Sequence, residues 1–356
     1  MKKVALHKQH LEEKAKMIAF AGFEMPVSYT SINEEHLQVR NSCGVFDVSH
    51  MGEFSVKGMR AKALLDRVCS NDIGKLVPGK AQYNYLPTES GTVIDDLIVY
   101  MKAEEDYLLV VNASNIDKDF AHILEANSAI GAKVENLSDQ LSLLAVQGPE
   151  AGALLQEFTA VDLAQIPFYH FAEASFGAID SVLISATGYT GAGGFELYCQ
   201  NSDAPLLWSM IRSKGIQPIG LAARDTLRLE MGYCLYGNDI DETTNALEAG
   251  LGWVTKFNTN FIGSQALLRA KEVGLSQQLV AFKMVDKGIP RNGYNIKSSE
   301  GKTIGRVTSG TLSPSLGYGI GLGYVTLSAS EIDQELFIEI RSKELKAVVV
   351  KLPFVK

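Results

Sequence analysis

The sequence contains no apolar run of the roughly 18 residues that a membrane-spanning helix needs. Its basic start, MKKVALHKQHLEEKAK, regains charge before the apolar core of ~7–15 residues that a secretion signal requires. A cytoplasmic chain with no membrane partner is expected. Cysteine is scarce: Cys43, Cys69, Cys199 and Cys234 are the only four, and no two are spaced C-x-x-C. That excludes a zinc knuckle and a redox dithiol, and leaves reduced, partly buried thiols as the expectation. The six histidines show no metal-ligand spacing, so no metal is expected. An excess of positive charge is also missing. The net charge of −8 argues against a nucleic-acid partner, although local arginines can still hold a small anionic ligand.

What is present is an ordinary globular mixture, 46% apolar and 21% charged, over 356 residues, a length that implies two or three domains. Residues 33–42 are expected to form a short helix that leads into a strand near Cys43–His50. Two segments share the pattern G-x-x-A-x-A-L-L, one at Gly58–Leu65 and the other at Gly148–Leu155. Each follows a strand candidate (Glu53–Val56 and Leu143–Val146), and Pro149 suits a first helical turn. The repetition predicts two related α+β lobes. Leu97–Met101 and Tyr107–Val111 form a predicted hairpin, and the apolar spacing of 115–125 is helical. After about residue 275 short strand patterns alternate with turn residues, the texture of a small all-β barrel.

Several segments carry residues suited to chemistry. Asp95 and Asp96 open an apolar strand, GTVIDDLIVY, where one side chain of the pair should face the apolar side. A buried carboxylate needs a partner or a function, and capping the hairpin or pairing with a lysine would serve. The loop ATGYTGAGGFEL follows a strand, but it has no P-loop lysine and opens no helix. Its glycines suit a tight connection or a close backbone approach. Glu196, in the returning strand, suits either paired N–H donors of a heterocycle or a solvated edge. In Gly317–Gly323 glycine recurs at every second position, which suits close strand packing better than a dinucleotide site. Arg224 and Arg228 share a helix face, fitting a carboxylate-bearing ligand or a network with Asp225 and Glu230. His50, which precedes Met51, reads as a structural histidine.

Taken together, FDVSHMGEF (46–54), IDDLIVY (94–100), LAVQGPEA (144–151), TGYTGAGGFEL (187–197), GLAARDTLRLEMGYCLYGNDID (220–241), EAGLGWVTK (248–256) and TSGTLSPSLG (308–317) resemble the T-protein family of the glycine cleavage system. The match runs in the family's order along almost the whole chain. It implies an α+β fold, a three-domain cloverleaf of two related α+β lobes plus a C-terminal β barrel around a central folate channel. The implied domains are 1–50 with 137–260 (folate-binding), 51–136 (carrying the IDDL hairpin) and 275–356 (barrel). The implied activity is aminomethyl transfer to tetrahydrofolate, with the lipoylated H-protein as partner. By the same matching Asp96, rather than Asp95, is the catalytic carboxylate. Glu196 would hold the amino-pyrimidine edge of the pterin. Tyr83, Asn112, Tyr189 and Trp253 would line the folate channel, Met51 would sit near the reactive end, and Arg224 with Arg228 would help fix the site.

The chain departs from the family pattern in three places. Ala192–Gly193 stand where Glu-Asp is frequent, which removes polar contacts from the loop. Ala246 replaces a frequent proline, a change expected to loosen the approach to Trp253. Lys356 would have to supply a C-terminal folate contact. Two other readings of the fold remain. One is a non-catalytic folate-binding accessory protein, whose Lys-Gly-Cys-Tyr-x-Gly-Gln-Glu motif is not matched by Gly232–Asp239. The other is a folate-linked demethylase module, which would need a flavin domain.

Overall fold

A computed structural model describes residues 1–355, so the expectation attached to Lys356 lies outside the described residues. Contacts divide the chain into two units. The first holds Met1–Arg67, Asp72–Asn84 and Leu97–Asp225; the second holds Val68–Asn71, Tyr85–Asp96 and Thr226–Lys356.

The main sheet of the first unit has six strands in the order Phe171–Phe176, Ile179–Ser185, Gly194–Gln200, Leu141–Gln147, Gly44–Asp47 and Gln217–Pro218. Only the last pair is parallel. Strand alternation sorts its side chains. Phe195, Leu197 and Cys199 join Leu144, Val146, Val182 and Ile184 in an apolar core with Leu207, Trp208 and Ile211 of the helix Ala204–Ser213. Glu196 and Tyr198 therefore face the other way. A second sheet runs Lys80–Pro87, Val93–Ala103, Asp106–Val111, Gly52–Lys57 and Lys133–Asn136.

The repeated pattern corresponds to two copies of one local structure. Gly52–Lys57 leads into the helix Ala61–Val68, and Leu141–Gln147 into the shorter helix Ala151–Leu155. The repeated glycine is left-handed in both, Gly58 at φ +93° and Gly148 at φ +135°. In each copy its carbonyl accepts from the alanine three residues on, at 2.8 and 3.1 Å. Both alanines are completely buried. Pro149 precedes the helix rather than lying within its first turn, because Glu150 occupies the N-cap position.

In the second unit, six strands close into a barrel: Gln277–Met284, Gly319–Thr326, Thr303–Leu312, Asn295–Lys297, Glu335–Ile340 and Lys343–Val350. Its interior is filled by residues including Phe282, Val307, Val325, Leu336 and Ile338. The alternate glycines pack backbone against backbone, as expected from their spacing. A Cβ on Gly319 would lie 2.4 Å from Gly288 O, and one on Gly323 2.7 Å from Arg306 O. Among the described residues no helix is long and apolar enough to cross a membrane. None of the four cysteines is in a disulfide.

Candidate functional site

Glu196 sits in a buried polar cluster on the face of the six-stranded sheet opposite the helix Ala204–Ser213, beside buried Phe46, Leu143, Ala145 and Leu183. Its neighbours come from the strand itself, from the glycine loop before it, and from the helix Leu221–Met231. Two glycines make the loop possible. A Cβ on Gly188 would stand 2.0 Å from Gln147 Oε1, and one on Gly194, at φ +114°, would stand 2.2 Å from Val146 O. Gln147 occupies the space so preserved. Its Nε2 donates to the carbonyl of Thr187 at 3.2 Å, and its Oε1 accepts from Thr190 Oγ1 at 2.8 Å. The positions where the family has Glu-Asp are used by backbone instead: Ala192 N donates to Thr190 Oγ1, and Gly193 O accepts from Gly148 N.

Inside this frame, Thr187 Oγ1 donates to Glu196 Oε2 at 2.5 Å. It also lies 2.8 Å from Ser185 Oγ and 3.1 Å from the Tyr100 hydroxyl, which is 3.0 Å from the Tyr198 hydroxyl. Burial pushes the Glu196 carboxyl up, and the Thr187 hydrogen bond and the Arg224 charge pull it partly back. Arg224 lies with its guanidinium carbon 4.7 Å from the Tyr189 ring centroid, a cation–π placement. Its buried Nη1 has no hydrogen-bond partner among the described residues. The helix that carries Arg224 is anchored at its start, where the buried Glu35 carboxylate accepts from Gly220 N at 2.7 Å and from Tyr29 N and Thr30 N.

The FDVSH turn is held from the other side of its strand. Asp47 accepts from Ser49 N at 2.9 Å and lies 2.8 Å from His10 Nε2, whose Nδ1 meets the Tyr29 hydroxyl. Burial alone would raise the Asp47 carboxyl; the bonds to His10 and Ser49 outweigh it and leave the group below its usual range. The turn delivers His50 and half-buried Met51. His50 packs edge-on against Phe20 and Phe23, and burial, reinforced by the Arg224 charge, lowers it to about 4. It is a neutral histidine in an aromatic niche, but its buried Nδ1 has no hydrogen-bond partner among the described residues, so it is not the satisfied structural histidine expected. Tyr83, Asn112 and Tyr189 are half-buried in the same unit. Asn112 caps the short turn Ala113–Asn115, its carbonyl accepting from Asn115 N.

In the second unit, Asp95 is completely buried and Asp96 is partly accessible. Trp253 is 62% exposed on the turn Leu251–Val254, which buried Leu251 and Val254 pin down. Ala246 is fully buried. Its N–H donates to Gly91 O, a bond proline could not make, so the exchange adds a tether to the segment before Trp253. Arg228 is 1% exposed, and its guanidinium is taken up by Asp239 Oδ2 (2.8 Å), Ser309 Oγ (2.9 Å) and the Tyr233 carbonyl (3.0 Å). Its carboxylate partner is thus Asp239, while Glu230 accepts from Ser313 and Ser315.

Thr187, Tyr100 and Tyr198 were not singled out by sequence reasoning. All three lie within or next to segments that carried the resemblance: Tyr100 ends IDDLIVY, Thr187 opens TGYTGAGGFEL, and Tyr198 follows it on the face of Glu196.

Two family models cover nearly the whole chain, the GCVT N-terminal domain over residues 6–259 and the glycine cleavage T-protein C-terminal barrel domain over residues 277–356. An aminomethyltransferase of Flavobacterium psychrophilum is 54% identical over 360 residues, covering 100% of both chains. One of Phocaeicola vulgatus is 51% identical over 362 residues, again at 100% of both. Among solved structures, the glycine cleavage system aminomethyltransferase T of Bartonella henselae matches with a TM-score of 0.93 at 35% identity, covering 99% of this chain and 98% of that one. With the fold, the family models and these full-length matches in agreement, the chain belongs to the glycine cleavage T-protein family of aminomethyltransferases.

Proposed function

We propose that this aminomethyltransferase moves the methylene carbon from S-aminomethyl-dihydrolipoyl H-protein to tetrahydrofolate, yielding 5,10-methylenetetrahydrofolate, ammonia and dihydrolipoyl H-protein. Tetrahydrofolate supplies the nitrogens that accept the carbon, and the two protons they release balance the ammonia and the free thiol. The observation that carries the reading is the unspent capacity at Glu196 and Arg224. Glu196 uses Oε2 on Thr187 and makes no protein hydrogen bond through Oε1 among the described residues. Arg224 leaves a buried donor unpartnered. A buried donor without an acceptor costs about 1–3 kcal/mol, which a ligand acceptor would return. A pterin fits this set, since its amino-pyrimidine edge presents two N–H donors to a carboxylate.

Asp96 serves as the catalytic carboxylate in this reading. It orients the folate amine and balances positive charge on the aminomethyl carbon or the departing amine. Tyr83, Asn112, Tyr189 and Trp253 supply the channel walls, and Met51 lies near the reactive end. Arg228 contributes by holding its helix to Asp239. The cytoplasm, where both partners would be met, is the proposed location.

The test is an assay with aminomethylated H-protein and tetrahydrofolate that reads methylenetetrahydrofolate. Asp96→Asn should lower turnover by about 10²–10⁴-fold, the usual worth of a positioned acid–base group, with folate binding still measurable. Near-normal turnover would remove Asp96 from the chemistry.

A further inference from the structure

Proton bookkeeping around Thr187 gives the hydroxyl cluster a direction. A hydroxyl has one proton to donate and two lone pairs to accept with. Thr187 Oγ1 has two acceptors within reach, Glu196 Oε2 at 2.5 Å and Ser185 Oγ at 2.8 Å, and the carboxylate, the nearer and stronger acceptor, takes its proton. At its 3.1 Å contact with Tyr100, Thr187 is then the acceptor, and the Tyr100 proton is directed at the Thr187–Ser185 pair, which both bond to it. Tyr100 in turn accepts at its 3.0 Å contact, and Tyr198 donates. The three hydroxyls form one string, Tyr198 to Tyr100 to Thr187, with every O–H dipole aimed at the Glu196 carboxylate. Hydrogen bonds in such a string polarise one another, most strongly where water is excluded. All four residues are buried, and the Tyr100 and Tyr198 rings lock each other edge-on at 5.7 Å.

The geometry points to Thr187, Tyr100 and Tyr198 as positioning residues that hold Glu196 ionised and in one rotamer, so that Oε1 is presented to the ligand. This rests on the reading of Glu196 as the group that holds the pterin edge. It extends that reading to side chains that do not touch Oε1 and names the hydrogen bonds that oppose the burial raising this carboxyl. The charged and titratable groups acting on the cluster are Arg224, which favours the ionised form, Tyr189 beside Arg224, and Glu53 near Tyr198. Glu53 has neither oxygen hydrogen-bonded among the described residues, so it does not compete for the Tyr198 proton.

The experiment compares Thr187→Val, Thr187→Ser, Tyr198→Phe and Tyr100→Phe with the unaltered protein, with Glu196→Gln as reference. Two quantities are read: the dissociation constant for tetrahydrofolate, and the pH midpoint of the Glu196 carboxyl by infrared difference spectroscopy of the ligand-free protein. Thr187→Val should weaken binding roughly 10–100-fold, the worth of one hydrogen bond to a charged group, and move the carboxyl midpoint upward. Thr187→Ser should restore both. Tyr100→Phe and Tyr198→Phe should move both in the same direction by less, and they carry the test alone if Thr187→Val fails to fold. Equal losses in Thr187→Val and Thr187→Ser, or an unmoved midpoint in the valine and phenylalanine variants, would overturn the proposal. If Glu196→Gln itself binds tetrahydrofolate normally, the pterin reading fails. The ligand-free midpoint still decides whether the string acts on Glu196.

Discussion

Asp239→Ala is the perturbation whose size the structure fixes most directly. Asp239 is 1% exposed and accepts four hydrogen bonds: from Arg228 Nη1 at 2.8 Å, Leu235 N at 2.9 Å, Ser309 Oγ at 2.9 Å and Thr308 Oγ1 at 2.5 Å. Two routes give its worth. At about 1 kcal/mol net per hydrogen bond, the four sum to about 4 kcal/mol. Removing one partner of a buried ion pair costs about 3–5 kcal/mol, because the other charge is stranded. The agreement predicts a loss of about 4 kcal/mol for Asp239→Ala. The reverse deletion is milder. Arg228→Met leaves Asp239 three donors, so it should cost about 1–3 kcal/mol, and Asp239→Ala combined with Arg228→Met should cost less than the sum of the single changes. Urea denaturation followed by circular dichroism measures all four proteins. A cost for Asp239→Ala below that of Arg228→Met would refute the assignment of Asp239 as the centre of the network. It would also reopen Arg228 as a ligand-facing charge.

Glu53→Gln tests a buried carboxyl whose burial raises it well above its ordinary value. Between the unfolded and native values the native state holds more protons, so stability of the unaltered protein falls as pH rises through that interval. The glutamine variant should lack this slope and gain on its parent between pH 5 and pH 9; an equal difference at both pH values in urea denaturation would contradict it. Gly194→Ala forces a side chain onto backbone at φ +114° and 2.2 Å from Val146 O, so it should cost at least about 1–3 kcal/mol and weaken folate binding by displacing Glu196. Unchanged stability in thermal melting would show that the strand edge shifts freely.

Much of the architecture was legible because it is local. Short strand patterns after about residue 275 marked the barrel, whose six strands lie between Gln277 and Val350. The G-x-x-A-x-A-L-L repeat marked two strand–turn–helix units because each needs a left-handed glycine and a buried alanine at fixed spacing. The predicted hairpin lengthened into Val93–Ala103 and Asp106–Val111, since tertiary pairing carries strands past their most apolar residues. Matching motifs singled out Glu196, Arg224 and Asp96 as candidates. Sequence left open whether the arginines served a ligand or a structural network, and the structure separates them: Arg228 is spent on Asp239, while Arg224 keeps a buried donor unpartnered.

The amino-acid sequence by itself determined the element types, the glycine-dependent turns and the family, because these depend on neighbours a few residues apart. Only the tertiary structure decided which aspartate of the pair is accessible and which hydroxyls converge on Glu196. Thr187 and Tyr198 lie close to Glu196 along the chain, but Tyr100 is 87 residues from Thr187. Hydrogen-bond direction among such distant groups is set by where the sheets place them, and no spacing along the chain encodes it.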